Sequence, residues 1–128
     1  MTSRRESAMS ANALEGGTTT RSPALERQEG AWRVLPVEGA FELLYEDVGG
    51  AQTRRRLIAH ELKIGPGRVL LGGFDMERDG YRGFRADRIA RLTDAETRVT
   101  VDRNIVDWLM KRAERTLRER KAELRRAA

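Results

Sequence analysis

Glycine-marked turns cut the middle of this chain into short apolar runs, and such spacing suits little except an antiparallel sheet. Trp32 to Val37 and Phe41 to Tyr45 are the first runs. Val48-Gly49-Gly50 then supplies residues tolerant of positive φ, as a hairpin turn requires. A longer strand is expected from about Gln52 to Ile64, with Ile58, His60, Leu62 and Ile64 alternating onto one apolar face. Gly65-Pro66-Gly67 ends it. Arg68 to Phe74 forms the next strand, in which Gly72-Gly73 marks a bend, a bulge or a close backbone approach. Tyr81 to Ala86 follows the turn Arg78-Asp79-Gly80, and Thr97 to Val101 is a fifth strand with Val99 and Val101 pointing inward. The expected fold is mainly β with a C-terminal helix. About five antiparallel strands over residues 31–102 would curl into a small barrel, with an open meander as the alternative.

Residues 1–30 are rich in Ser, Thr, Gly, Ala and charge without periodicity, and read as a disordered segment. A short helix around Ala24 to Gln28 is too brief to stand alone. Residues 103–128 read as a basic helix capped by Asp102 or Asn104. Its apolar seam is Val106, Met110, Ala113, Leu117 and Leu124, interrupted by Arg120, with Trp108 and Leu109 widening it at the start. Glu114 with Arg118 and Arg115 with Glu119 are i,i+4 pairs. Beyond Leu117 the helix is nearly all charge and is expected to project into solvent.

The 128 residues suit one domain. Charged residues make up 35% and aromatic ones 5%, so the core must be aliphatic and small. No cysteine is present, which excludes disulfides and thiolate metal sites. No long apolar run follows the basic start Met1-Thr2-Ser3-Arg4-Arg5, so the cytoplasm is the expected compartment. Lys111 to Arg126 holds eight basic and three acidic residues, which accounts for the whole net charge of +5 and leaves the rest neutral. Long-range attraction to nucleic acid would come from that segment.

Tyr81-Arg82-Gly83-Phe84-Arg85-Ala86-Asp87-Arg88-Ile89 sets three arginines beside two aromatics. On a strand, Arg82, Phe84 and Ala86 share one face, and Tyr81, Gly83 and Arg85 the other. Guanidinium forks match phosphate and carboxylate geometry and stack on flat rings. The bland reading is that these arginines pair with Asp75, Glu77, Asp79 and Asp87.

Gly67-Arg68-Val69-Leu70-Leu71-Gly72-Gly73-Phe74, a polar turn, and then Tyr81 to Ile89 resemble, without a gap, the core of the WYL domain family. That pattern is a Gly-Arg-Trp-Tyr-Leu strand, a small or apolar pair, a Phe, a polar turn and Tyr-Arg-x-Phe-Arg-x-Asp-Arg-Ile. Phe74, Arg82, Phe84, Arg85, Asp87, Arg88 and Ile89 fall in place, while Val69-Leu70-Leu71 stands where Trp-Tyr-Leu would be. Phe41 to Tyr45 and Arg54 to Ile58 resemble the family's upstream hairpin, and His60 stands where the family often has proline. The resemblance covers roughly Phe41 to Leu92. It implies an SH3- or Sm-like barrel in an accessory domain of bacterial transcription or defence regulators. It implies uptake of a negatively charged ligand, a nucleotide or single-stranded nucleic acid. The candidate ligand residues it implies are Arg82, Arg85 and Arg88, with Tyr45, Arg55 or Arg56, and Tyr81 beside them. Most such regulators carry a helix-turn-helix domain before the barrel, and residues 1–30 could not build one.

Neither an enzyme nor a metal protein is expected. His60 is the lone histidine and reads as a packed side chain, and no cofactor motif occurs. Asp75, Glu77 and Asp79 lack the length and the distal glutamate of a calcium loop and read as a solvated turn. The competing function is a protein-interaction or oligomerisation module, in which Trp108-Leu109-Met110 on the C-terminal helix docks a regulator partner or a second copy.

Overall fold

One continuous strand, β2 (Trp32–Glu46), organises the molecule in a computed structural model that describes residues 25–127. The sequence reads this stretch as two runs; they fuse because the chain bends without breaking at Gly39, whose φ of 144° lies where side-chain-bearing residues are strained. β3 (Gln52–Gly65) pairs along one edge of β2. The other edge is shared by β1 (Arg27–Glu29) at its start and β6 (Ile89–Asp94) at its end. β4 (Arg68–Asp75) and β5 (Gly80–Arg85) extend the sheet beyond β3, and β7 (Thr100–Val101) extends it beyond β6. A single 3-10 turn, Ala86–Arg88, joins β5 to β6. All pairs are antiparallel. The order is β5-β4-β3-β2-β6-β7, and the two ends do not pair, so the sheet of seven strands is open.

The glycine turns fall where the sequence puts them. Gly50 and Gly67 take φ of 87° and 81° in the β2–β3 and β3–β4 turns. The Asp47 carboxylate accepts the N–H groups of Gly49 and Ala51. Gly73 marks a close approach: a Cβ there would lie 2.1 Å from the Ile58 carbonyl oxygen.

Four strand-level readings need correction. β1 stands where disorder or a short helix is expected, because pairing to β2 and ion pairs of Arg27 with Glu61 and of Lys63 with Glu29 hold it; residues 1–24 lie outside the described part. β6 is absent from the sequence reading. Of Thr97 to Val101 only the last two residues form a strand, and Val99 is exposed. The alternation in β3 shifts at a bulge at His60, which has no partner in β2 or β4. Leu57 and Ala59 point inward before the bulge and Leu62 after it, so Ile58 and His60 face solvent.

Helix α1 (Ile105–Ala127) packs on the inner face of the sheet. Ile105, Leu109, Arg112, Ala113, Thr116 and Leu117 are buried, so the buried stripe is turned from the apolar seam. Two polar residues, Arg112 and Thr116, lie on it; hydrophobic spacing cannot reveal them. Trp108 and Met110 pack against the core, Trp108 edge-on to Phe41 at 5.9 Å. The apolar start of the helix is therefore turned inward.

Candidate functional site

β5 splits its arginines as strand alternation requires, and the sheet then distributes the sequence-predicted ligand residues over three places. On the inner face, Arg55 and Arg82 approach Asp75, and Tyr45 joins them through the Phe84 ring. Arg55 Nη1 lies 3.7 Å and Arg82 Nη1 4.0 Å from Asp75 Oδ2. Arg82 also stacks over the Phe84 ring at 5.5 Å, and Tyr45 meets that ring edge-on. Asp75 is fully buried rather than part of a solvated turn, and its other oxygen accepts the Glu77 N–H. Three buried polar atoms here, Thr53 Oγ1, Arg55 Nε and Asp75 Oδ2, have no hydrogen-bond partner.

At the end of β5, Arg85 binds Asp87 through two N–H groups, at 3.1 and 2.9 Å, and Arg88 donates to the Asp47 carbonyl at 3.3 Å. The Arg85 hydrogen bonds hold the Asp87 carboxyl below its usual range. Arg82, Arg85 and Arg88 thus have three separate partners. On the outer face, Tyr81 donates to Glu61 at 2.6 Å, with the His60 ring edge-on beside it, and Arg56 donates to Glu77 at 2.8 Å.

The outer face also carries a site absent from the sequence reading. Register places Arg54, Leu44 and Arg91 side by side across β3, β2 and β6. Arg56, Glu42 and Thr93 form the next row. These side chains, with Glu77, line a pocket of about 250 Å³. Arg54 and Arg91 flank the apolar Leu44, and neither has an ion pair among the described residues. With strands 4.7–4.9 Å apart, their Cα atoms stand about 10 Å from each other, so both forks can reach one anion above Leu44. The following row is apolar: Ile58, Phe74 and Tyr81 are paired across β3, β4 and β5, and are 49%, 40% and 56% exposed. These flat side chains share the solvent face with the unpaired cations but stand two rows, about 13 Å, further along the strands, beyond Arg56, Glu42 and Thr93. Arg54 was within reach of sequence reasoning as the neighbour of Arg55 and Arg56; Arg91 was not, because only β6 brings it here.

No group of three or more His, Asp or Glu among the described residues could hold a metal ion. No described helix is long and apolar enough to cross a membrane. No family model, no curated protein and no solved structure matches the chain.

Proposed function

We propose that this chain is a cytoplasmic accessory regulatory domain of WYL type that binds a negatively charged ligand, a nucleotide or single-stranded nucleic acid, and thereby modulates a transcription or defence system. The observation that carries the reading is the outer-face pair Arg54 and Arg91, unpaired cations on either side of an apolar floor. Charge-assisted donation to a phosphate needs forks not already held by carboxylates, which favours this pair over Arg85 and Arg56. The exposed Phe74 and Tyr81, two rows further along the same face, offer a stacking surface to the next base of an oligonucleotide whose phosphate sits at the pair. A barrel of SH3 or Sm type is the matching fold. The Tyr45 hydroxyl accepts the Arg85 N–H at 3.2 Å, which draws the end of β5 towards the end of β2.

Titration of fluorescent nucleotides and short single-stranded oligonucleotides tests it. Arg54→Ala and Arg91→Ala should each weaken binding by about tenfold. Arg85→Ala and Arg88→Ala should change it much less. Unaltered affinity in the Arg54→Ala and Arg91→Ala proteins, both folded, rules the pocket out.

A further inference from the structure

We infer that the outward face of α1 is a second binding surface, one that lies along the phosphate backbone of a nucleic-acid duplex. This inference stands apart from the pocket. At 100° per residue, Lys111, Arg115, Arg118 and Arg125 fall within an arc of about 80° and opposite the buried stripe. They span about 21 Å of helix. All four are exposed. Among the described residues Lys111, Arg118 and Arg125 have no ion pair, and Arg115 has only a loose one with Glu119 at 3.7 Å, both side chains more than half exposed.

Asp107 lies on this line one turn before Lys111, and Glu114 borders it; no acidic residue falls on it from Lys111 to Arg125. Glu114 acts on Arg33 of β2, and Glu119 and Glu123 flank the stripe on the other side. Two of the segment's basic residues have partners on other elements, Arg112 with the buried Asp94 and Arg120 with the exposed Glu38. The remaining excess of positive charge is therefore concentrated on one straight face.

The partner's chemistry follows from what accompanies the charge. An amphipathic helix that binds an anionic membrane inserts its apolar side, and here that side is buried against the sheet. A single strand is held by stacking as well as charge, and no aromatic residue lies on this stripe. A rigid row of cations with nothing between them to stack on fits a duplex, which carries about one charge per 1.7 Å of its axis.

The test uses the full chain and a fluorescent duplex of random sequence, titrated between 50 and 200 mM NaCl. Four phosphate contacts give a slope of log K against log salt near −3.6, roughly a hundredfold loss of affinity over that range. Each single change, Lys111→Gln, Arg115→Gln, Arg118→Gln or Arg125→Gln, should reduce the slope by about 0.9. The quadruple change should abolish most of it while leaving the unfolding midpoint and nucleotide affinity at the pocket unchanged. Arg54→Ala/Arg91→Ala should do the reverse. The inference fails if the quadruple protein keeps the slope. It also fails if the pocket variant loses duplex binding instead, or if the four residues govern binding to phosphatidylserine vesicles and not to duplex.

Discussion

Arg112 shows how far one side chain can depart from the reading its neighbours suggest. In sequence it is one more cation on a basic helix; in the fold it is buried and paired with Asp94, which is buried too. Its guanidinium also donates to the Glu38 carbonyl at 3.3 Å and stacks on Phe41 and Trp108, at 5.2 and 4.8 Å from their centroids. A Cβ at Gly39 would stand 2.9 Å from its Nη1, so the bend in β2 makes room for it. Asp94 in turn accepts the N–H groups of Glu96 and Thr97 and so shapes the loop before β7. Leaving either charge alone in this setting costs about 3–5 kcal/mol. Arg112→Ala and Asp94→Ala should each lower unfolding free energy by that order in urea, whereas Arg112→Met with Asp94→Leu should lose much less. Equal losses in the single and double proteins would show that the charges are not coupled. Burial alone would raise the Asp94 pKa, but hydrogen bonds from Arg112, Glu96 and Thr97 outweigh it and hold the carboxyl below its usual value. A depressed acid stabilises the fold above its unfolded pKa, near 4, and that stability is lost as pH falls through the lower folded value. Asp94→Asn should therefore flatten part of the acid limb of a plot of stability against pH, as read by thermal melts. An unchanged limb would place the acid sensitivity elsewhere.

Elements in this chain obey local rules until a bulge intervenes. Gly73 lies where β4 crosses the irregular part of β3, and adding a methyl group would bring Cβ against the Ile58 carbonyl. Backbone cannot move aside as a flexible side chain can, so Gly73→Ala should destabilise by about 1–3 kcal/mol. Gly83 has open space at its Cβ position, and Gly83→Ala should change stability by less than about 0.5 kcal/mol. Chemical unfolding of the two proteins side by side checks the contrast, and similar values would deny the close approach any energetic weight. The turns were legible because Gly50 and Gly67 adopt backbone angles that other residues avoid. β6 was not, because its inward residues Ile89, Leu92 and Asp94 do not alternate. Its pairing skips Ala90 between Tyr45–Ile89 and Leu44–Arg91. The same slip hid the pocket, since Arg91 reaches Leu44 and Arg54 only through that register. Arg55 and Arg82 do meet, yet around a buried Asp75 whose placement no local pattern signals.

Across the whole molecule, charge and packing divide along α1. The sheet and the first part of the helix hold the core, and Leu117 is the last buried residue. Beyond it the helix carries most of its unpaired cations and only partly covered apolar groups, Ala122 and Leu124. A chain ending after Glu119 keeps Arg112 on Asp94, Trp108 on Phe41 and Leu117 in the core, and loses the Arg120–Glu38 contact at 3.7 Å. Ion pairs with one exposed partner contribute little, so that truncation should cost about 1 kcal/mol or less. A chain ending after Met110 loses Arg112, Ala113, Thr116 and Leu117 together. It leaves Asp94 buried without its cation, takes the Arg112 guanidinium off the Phe41 ring and removes Ala113 and Leu117 from the core, losses that together approach the roughly 5–15 kcal/mol stability of an ordinary small domain. Circular dichroism during urea titration should show a cooperative transition near the full-length midpoint for the first truncation and none for the second. A cooperative transition in the shorter chain would mean that the open sheet sustains its own core and that α1 is an appendage.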